Sequence, residues 1–393
     1  MSKIIVHIDL NAFFVRCEEI RNPQLKGKCI AIGHEGPAGI VSTCSYEARK
    51  YGVHSGQAMF QAKQLCPQLI VIHGDYGYYG MLSKTFINFV KQYTTIVEQA
   101  SVDECFADFT LVLKGNKNPI EFFRKFQRDL YKKTKLMCSI GVAPTKFLAK
   151  MGSDYKKPNG LTIIRRKDLA EILYPIPIKD MFGIGKKTAP RLEAIGIKTI
   201  GDMKERMDYD DPQLKSLMGK FYEEAKLWVN GYGNDKVYID EWDPKSIGRS
   251  STFMHDTDDI NDIKDMFNRL SKEVSQSAIK ERKVGHTIQI VAKTTEFKAF
   301  NKSKTLTGPT NDAKTIYETA VELYTTNFSN LTVRLVGVTL QNLINPQDVS
   351  IQMTLFDYEK HEEENQTKLI INSLNRKLKK PLLMRASEIE KKK

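Results

Sequence analysis

The chain has 393 residues, more than the roughly 100–200 usual for one domain, so the sequence predicts several folded units. With 41% apolar and 27% charged residues and no apolar run near the ~18 residues of a membrane span, the composition argues against a fibrous, disordered or membrane protein. The net charge of +13 favours an anionic partner, although ribosome-associated and membrane-surface proteins carry similar charge.

The N-terminal part begins with a predicted strand at Ile4–Asp9, whose apolar stretch is too short for a signal peptide, so we expect a cytoplasmic protein. A helix is predicted over Asn11–Arg21, with Asn11 as its N-cap. Strands at Cys29–Gly33 and Leu69–His73, with two short helical segments between them, indicate a small mixed subdomain inserted early.

The next part of the chain alternates helices with strands. A helix is predicted over Tyr79–Tyr93, followed by strands at Ile96–Ser101 and Glu104–Thr110 with a tight turn at Val102–Asp103. Further elements are a helix at 119–134, a strand at 137–142, a helix at 144–155 and a strand at 161–165. This order is typical of an antiparallel sheet backed by helices.

Two further units follow. Residues 168–236 have no strand pattern and are predicted to form a separate helical domain, and Gly231–Pro244 has the composition of a linker. From 246 to 343 the pattern predicts a β-α-β-β-α-β order, which is typical of a ferredoxin-like domain. The polar, basic stretch after about Asn345 is expected to be a tail.

The six cysteines are far apart in the sequence. No CxxC pair and no neighbouring histidine accompanies them, so neither a zinc site nor a disulfide framework is expected. We predict reduced and mostly buried thiols.

Three acidic residues are candidates for a metal site. Asp9 ends a predicted strand and Asp103 and Glu104 lie at a hairpin tip, so one edge of the sheet can bring the three carboxylates together. Such a cluster needs cations, and carboxylates suit Mg²⁺, two of which can hold the attacking and leaving oxygens of a nucleotidyl transfer. Solvated acids at strand ends and turns are common, however, so these residues alone leave the question open.

Five motifs in order resemble those of the translesion (Y-family) DNA polymerases, with the bacterial polymerase IV group as the most similar branch. The motifs are Ile8-Asp-Leu-Asn-Ala-Phe-Phe14, Tyr46-Glu-Ala-Arg49, Ser101-Val-Asp-Glu104, Lys157-Pro-Asn-Gly160 and Phe182-Gly-Ile-Gly185. The resemblance covers about residues 3–345 and implies an α+β, multidomain right-hand polymerase.

The resemblance also implies the division into domains. It gives a ferredoxin-like catalytic palm at 1–12 and 75–167, small fingers at 13–74, a helical thumb with a helix-hairpin-helix at 168–236, a linker at 237–245, a β-α-β-β-α-β little finger that binds DNA at 246–345, and a tail at 346–393.

The same resemblance assigns the catalytic residues. Asp9 and Asp103 are expected to bind or bridge two Mg²⁺ ions, Glu104 to complete the site as a catalytic residue, and the Leu10 carbonyl to add a ligand. Asn11 departs from the family, since many relatives carry Asp at this position. Because the three carboxylates are all present, we expect activity to survive this difference.

Further roles concern the incoming nucleotide. Phe14 corresponds to the steric gate that excludes the ribose 2′-hydroxyl, although an isolated Phe on a helix is usually an ordinary core residue. Tyr46 and Arg49, three residues apart, share one helix face, and the resemblance assigns both to the triphosphate together with Thr43 and Lys157.

Three segments are candidates for contacts with macromolecules. In the helix-hairpin-helix, Gly183, Gly185 and Lys186 are expected to meet a DNA phosphate, although a lone GxG usually marks a turn. The segment 280–304 holds seven Lys/Arg against two Glu, and a basic sheet of this kind contacts DNA or is simply a solvated face; its candidate residues are Lys293, Lys298 and Lys304. Gln352, Leu355 and Phe356 resemble the peptide that docks on the sliding clamp, the β subunit of the replicase.

The sequence therefore predicts a monomeric, template-directed DNA polymerase of the translesion type. Its expected partners are primer-template DNA, dNTPs and the clamp, and its expected properties are low fidelity, no proofreading and lesion bypass in damage tolerance. Two rivals remain: a nucleotide cyclase or other palm-bearing nucleotidyl transferase, and a non-catalytic protein that binds DNA and the clamp.

Overall fold

The computed structural model describes residues 3–36, 38–115, 118–239 and 243–348. The chain divides into two compact units, Met1–Trp242 and Asp243–Lys393. Both contain helices and strands, so the α+β class predicted from the sequence is confirmed. Within the described ranges, no helix has the length and apolarity needed to cross a bilayer.

One part of the first unit is a β-sheet with helices on both faces, and another part is helical. Its strands are β1 Ile5–Leu10, β2 Ile30–Gly33, β3 Val41–Cys44, β4 Ile70–Ile72, β5 Val97–Gln99, β6 Glu104–Asp108, β7 Cys138–Ala143 and β8 Leu161–Ile163. Its helices are α1 Phe13–Arg21, α2 Tyr46–Arg49, α3 Met59–Leu65, α4 Tyr76–Val90, α5 Pro119–Thr134, α6 Lys146–Tyr155, α7 Leu169–Ile172, α8 Ala189–Ala194, α9 Ile200–Asp208, α10 Pro212–Met218 and α11 Phe221–Val229.

The larger sheet of this unit has the order β5-β6-β1-β7-β8. The first four strands are antiparallel in the split β-α-β order of ferredoxin-like folds, and β8 adds a parallel edge strand. Side chains on β1 alternate between two layers: Val6, Ile8 and Leu10 join the core that includes α1, α4 and α5, whereas Ile5 joins the core on the side of α6. The same alternation places the polar residues at positions 7 and 9 on the α6 side.

A second, smaller sheet has the order β3-β2-β4. The strand β3 was not predicted from the sequence. Only Val41 and Cys44 of its four residues are buried, so the segment lacks the strict alternation by which half-buried strands are recognised.

The segment expected to be a linker is packed where it begins. Val237 is buried in the helical core, and the backbone N–H of Tyr238 donates to Glu98 Oε2 at 2.7 Å. The Lys146 ammonium lies 4.7 Å from the centre of the Tyr238 ring. One apolar and one aromatic side chain therefore anchor residues 237–238 to the first unit.

The second unit has the predicted β-α-β-β-α-β order. Its elements are β9 Ser246–Thr257, α12 Ile260–Lys280, β10 Val284–Thr294, β11 Ala299–Thr310, α13 Ala313–Phe328 and β12 Val333–Ile344. The sheet is antiparallel with the order β11-β10-β12-β9. The ferredoxin-like order expected for this domain is wrong, because β12 and not β11 lies between β9 and β10. The polar β11 is almost wholly exposed and forms an edge, while the apolar β12 is central.

Candidate active site

Asp9 and Glu104 are direct cross-strand neighbours at the end of β1 and the start of β6. The backbone N–H of Leu10 donates to the Asp103 carbonyl at 2.9 Å, which ties the hairpin turn to the end of β1. The pairing of β1 with β6 thus brings the three acidic residues predicted from the sequence to one edge of the sheet. Like charges directly opposite each other are unfavourable unless a cation offsets them.

The carboxylate of Asp103 is held within its own turn. Its Oδ1 accepts a hydrogen bond from Ser101 Oγ at 2.6 Å. Burial raises the pKa of Asp103, the hydrogen bond from Ser101 opposes this rise, and the carboxylates of Asp9 and Glu104 add to it.

Glu104 lies beside a buried histidine. The Nε2 atom of His7 is 3.4 Å from Glu104 Oε2, and Nδ1 is 2.7 Å from Ser153 Oγ. This histidine contact and the nearby Lys150 ammonium lower the pKa of Glu104 to about 2, whereas burial lowers the pKa of His7. Glu104 is therefore ionised and His7 neutral near pH 7.

Two lysines neutralise the acidic edge. Lys150 Nζ lies 2.8 Å from Glu104 Oε2 and 3.3 Å from Asp9 Oδ2. Lys157 Nζ lies 2.8 Å from Asp9 Oδ2 and 2.8 Å from Asp154 Oδ1. Burial works against the charge on Lys150, but the carboxylates of Asp154 and Asp9 outweigh it and raise the pKa of Lys150.

Lys150 was missed in the sequence, although a signal was present. Lys150 and Asp154 are spaced i, i+4 on one face of α6, whereas Lys157 lies in the turn after the helix ends at Tyr155. The sequence signal for Lys150 was therefore its spacing from Asp154 on a helix predicted to pack near the strand that ends at Asp9.

The donor set of this edge suits a hard divalent cation. One ligand atom each from His7, Asp9 and Glu104 lies within 4.8 Å of the others. The carboxylate oxygens are the ligands that Mg²⁺ prefers, and a nitrogen ligand is not needed for it. Among the described residues His7 Nε2 has no hydrogen-bond partner, so the polar atoms of this corner are incompletely satisfied by the protein itself.

A cavity of about 350 Å³ opens beside the acidic edge. Its lining includes residues that the sequence assigned to the metal ions or to the nucleotide: Asp9, Leu10, Phe14, Thr43, Tyr46, Arg49, Asp103 and Lys157. Ser42, Ser55 and Val102 also line it and were not predicted. Glu104 does not line the cavity, and its carboxylate contacts Lys150 and His7.

Asn11 is a bridge and not a helix N-cap. Its Nδ2 donates to Ser139 Oγ at 2.9 Å, and its Oδ1 accepts from the backbone N–H of Asn159 at 2.8 Å. The residue that precedes α1 is Ala12, which has a left-handed conformation and caps nothing with its side chain. The predicted N-cap role is wrong because Asn11 is buried and directed to the turn that carries Lys157.

Sequence comparison assigns most of the chain to one set of family models. The impB/mucB/samB family model matches residues 8–154, and the C-terminal domain model of this family matches 244–355. The HHH motif model of the IMS family matches residues 166–197. Among solved structures, a Y-family DNA polymerase chimera matches with a TM-score of 0.79 and 28% identity, covering 87% of this chain and 99% of that one.

The chain belongs to the impB/mucB/samB family, the Y family of DNA polymerases. It is 36% identical over 393 residues to DNA polymerase IV of Bacillus velezensis, which covers 99% of this chain and 94% of the relative. It is 35% identical over 378 residues to DNA polymerase IV of Oceanobacillus iheyensis, covering 95% and 89%. An insertion ternary complex of Dbh DNA polymerase matches with a TM-score of 0.58 and 28% identity, over 87% of this chain and 99% of that chain.

The segment that matches the Y-family HHH motif has a tight glycine turn. Gly183 has a φ of 92°, and a Cβ atom there would lie 2.7 Å from Phe221 Cζ, so this position requires glycine. A Cβ atom at Gly185 would meet nothing within 4 Å. Gly185 and Lys186 are exposed next to the start of α8, where a partner can approach the backbone.

The three lysines predicted to bind DNA in the second unit of this Y-family chain do not share one surface. Lys293 pairs with Ala299 and Leu335 on the face of the sheet opposite the core. Lys304 is paired with the buried Ile288, and both carboxylate oxygens of Glu322 on α13 accept hydrogen bonds from its Nζ at 2.7 Å. Lys298 lies near the β10–β11 turn and pairs with Glu296. The predicted clamp peptide, Gln352, Leu355 and Phe356, lies outside the described residues.

Proposed function

We propose that this protein is a template-directed DNA polymerase of the translesion type, which adds dNTPs to a primer 3′ end. The observation that carries the proposal is the cavity that joins the acidic edge at Asp9 and Asp103 to Phe14, Arg49 and Lys157. An acidic edge next to cationic and aromatic side chains is what a triphosphate, its metal ions and its sugar require. The names of the relatives, DNA polymerase IV, support the same reaction.

The proposed layout follows the family. The larger sheet of the first unit corresponds to a palm at 1–12 and 75–167, the smaller sheet to fingers at 13–74, and α7–α11 to a thumb at 168–236. The second unit corresponds to a little finger at 246–345. The small three-stranded fingers sheet supports an open nucleotide site, from which we infer low fidelity and lesion bypass.

The residues that hold the metal in this proposal are Asp9, Asp103 and Glu104, with the Leu10 carbonyl as a further oxygen ligand. Two Mg²⁺ ions, when bound, supply activation of the primer hydroxyl and neutralisation of the phosphate charge. Lys150 and Lys157 contact Asp9, and Lys150 also contacts Glu104. The lowered pKa of Glu104 keeps this carboxylate ionised near pH 7.

The rest of the cavity binds the nucleotide. Arg49 and Lys157 contact the triphosphate, the first through a planar guanidinium and the second as a point charge. The guanidinium of Arg49 lies 4.7 Å from the centre of the Tyr46 ring, so the two side chains act together, and Thr43 adds a hydroxyl. Phe14 bounds the cavity where its ring excludes a ribose 2′-hydroxyl.

Primer extension tests the proposal. A primed DNA template is incubated with Mg²⁺ and single dNTPs, using the wild-type protein, Glu104→Ala and Asp208→Ala. Asp208 is an exposed acid on α9 that pairs with Lys204 and serves as the matched control. Template-directed extension by the wild type and the control, with at least a hundredfold loss in Glu104→Ala, is the expected result.

The alternative outcomes are separate from this result. DNA binding without extension in all three proteins would move the chain to a non-catalytic, clamp-associated role. Extension that does not follow the template base would favour a different palm-bearing nucleotidyl transferase. Products shorter than the primer would contradict the expected absence of proofreading.

We also propose that residues 352–356 dock on the sliding clamp. Removing this segment should leave extension on short templates unchanged and reduce only the length of products made with the clamp on long templates. Equal loss with and without the clamp would contradict a docking role.

A further inference from the structure

The ring of Phe14 is held from behind by aromatic residues of α4. Tyr79 stacks on Phe14 with ring centroids 4.6 Å apart and an angle of 16° between the planes. Tyr76 meets Phe14 edge-on at 5.7 Å and 87°. The stacked partner limits the tilt of the Phe14 ring, because the two rings lie nearly parallel in van der Waals contact.

Tyr79 is in turn fixed by a carboxylate. Its hydroxyl donates to Glu18 Oε1 at 2.7 Å. Tyr79 is 1% exposed and Glu18 is 6% exposed, so this is a buried hydrogen bond to a charged group. Burial and the hydrogen bond to Glu18 raise the pKa of Tyr79, so its hydroxyl keeps the proton that it donates.

Tyr79 contacts two residues of the same helix, Phe14 at the cavity and Glu18. Phe14 and Glu18 are four residues apart on α1, one turn from each other, and therefore lie on the same side of the helix. Tyr79 spans the two: its ring covers Phe14 and its hydroxyl reaches Glu18. A buried charged hydrogen bond tolerates little displacement, since a donor or acceptor left unpaired in the core is costly.

We propose that Glu18 is a positioning residue for sugar selection, which acts by fixing the Tyr79 ring against Phe14. The proposal rests on the proposed polymerase function and on Phe14 as the residue that meets the sugar. Glu18 is a positioning residue and not a catalytic one, because it neither lines the cavity nor belongs to the acidic edge.

A purely structural role for Glu18 predicts a different result. Arg21 and Asp75 also join α1 to the start of α4, at 2.8 Å, so Glu18 would then be one more tie between the two helices. Loss of such a tie lowers stability and affects deoxyribonucleotides and ribonucleotides alike. A positioning role changes the ratio between the two sugars.

The test measures kcat/KM for dCTP and for CTP opposite dG in the full-length protein. Glu18→Leu removes the acceptor and leaves the Tyr79 hydroxyl unpaired, whereas Glu18→Gln keeps an acceptor oxygen. Phe14→Ala reports the gate itself. Tyr93→Phe is the matched control, because Tyr93 also donates to a carboxylate, that of Asp129 at 3.5 Å, in the same unit and is not in ring contact with Phe14.

The expected result is a rise of about tenfold in the relative use of CTP in Glu18→Leu, equivalent to about 1.4 kcal/mol of discrimination, with Glu18→Gln and Tyr93→Phe within about twofold of the wild type. If Glu18→Leu does not fold, Tyr79→Phe, which keeps the ring, takes its place with the same expectation. An unchanged sugar ratio in the folded variant, while Phe14→Ala accepts CTP, overturns the proposal.

Failure of the underlying function has its own signature in the same experiment. A wild-type protein that extends no primer contradicts the polymerase, and a wild type that extends while Phe14→Ala still rejects CTP contradicts the gate. Either outcome also removes the basis for the role of Glu18.

Discussion

At the acidic edge, carboxylates from β1 and β6 contact lysines from α6 and from the turn that follows it. Lys150 contacts both Asp9 and Glu104, and Lys157 contacts Asp9 and Asp154. The carboxylates would repel each other across the β1–β6 ladder without these ammonium groups. We therefore expect the lysines to compete with a divalent cation for the same oxygens.

Lys150→Met tests this competition. Removing the ammonium leaves Asp9 and Glu104 opposite each other with less compensation, so we expect the protein in EDTA to lose about 1–3 kcal/mol of stability. Mg²⁺ should then raise the melting temperature more in the variant than in the wild type. Thermal unfolding with and without Mg²⁺ measures both effects, with Lys150→Arg as the control that keeps the charge. An equal Mg²⁺ shift in all three proteins would show that Lys150 and the metal use separate oxygens.

Asn11 positions the turn that carries Lys157. Asn11→Ala removes its two hydrogen bonds, to Ser139 and to the backbone of Asn159, so the turn and its lysine become less well placed. We expect kcat/KM for dNTPs to fall about tenfold, mainly through KM, since each buried hydrogen bond contributes about 1 kcal/mol. Steady-state extension kinetics check this, and a loss confined to kcat would mean that Asn11 acts on the acidic edge instead.

At the scale of elements, the regular segments were the predictable ones. Apolar periodicity located β1, β7 and most long helices, and Asp9, Asp103 and Glu104 came to one edge as the strand ends predicted. The strand β3 and the strand order in the second unit were missed. The four residues of β3 show no strict alternation of buried and exposed positions, and pairing order depends on which strands are apolar throughout.

The site was predictable only as far as motifs reached. Phe14, Tyr46 and Arg49 came from the family resemblance, whereas Tyr79 and Lys150 lie on helices far from them in sequence. Glu18 lies on the same helix as Phe14, but only the approach of Tyr79 from α4 connects the two residues. The roles of Glu18, Tyr79 and Lys150 depend on the packing of α1 against α4 and of α6 against the sheet, which requires the three-dimensional structure.

The two faces of the sheet in the second unit carry different lysines, which leads to a prediction about DNA binding. Lys293 lies on the face opposite the core, whereas Lys304 is engaged by Glu322 of α13. We expect Lys293→Ala to weaken binding of duplex DNA and to reduce the slope of log K against log salt by about one, and Lys304→Ala to change both much less. Fluorescence anisotropy across a salt series measures this. Equal effects of the two substitutions would place DNA on the edge strand β11 and not on the open face.

At the scale of the whole molecule, the chain consists of two units with separate cores. The core of the second unit is formed by its own sheet together with α12 and α13, and includes Phe267, Ile288, Tyr324 and Val338. The acidic edge and the cavity belong entirely to the first unit. The acidic edge and the basic sheet thus belong to different units, and each unit has its own apolar core.

This division predicts that residues 243–348 fold without the rest of the chain. A fragment of about 100 residues with a continuous core of its own is large enough for cooperative unfolding, because domains of this size bury sufficient apolar surface. We expect a single thermal transition whose calorimetric and van't Hoff enthalpies agree, and salt-dependent binding to duplex DNA without sequence preference. The complementary fragment 1–239 should extend primers with a raised KM for DNA and a kcat close to that of the full chain. A fragment 243–348 that binds a hydrophobic dye and melts without a transition would show that its core needs the first unit, and a fragment 1–239 with no extension at saturating DNA would show that the acidic edge does as well.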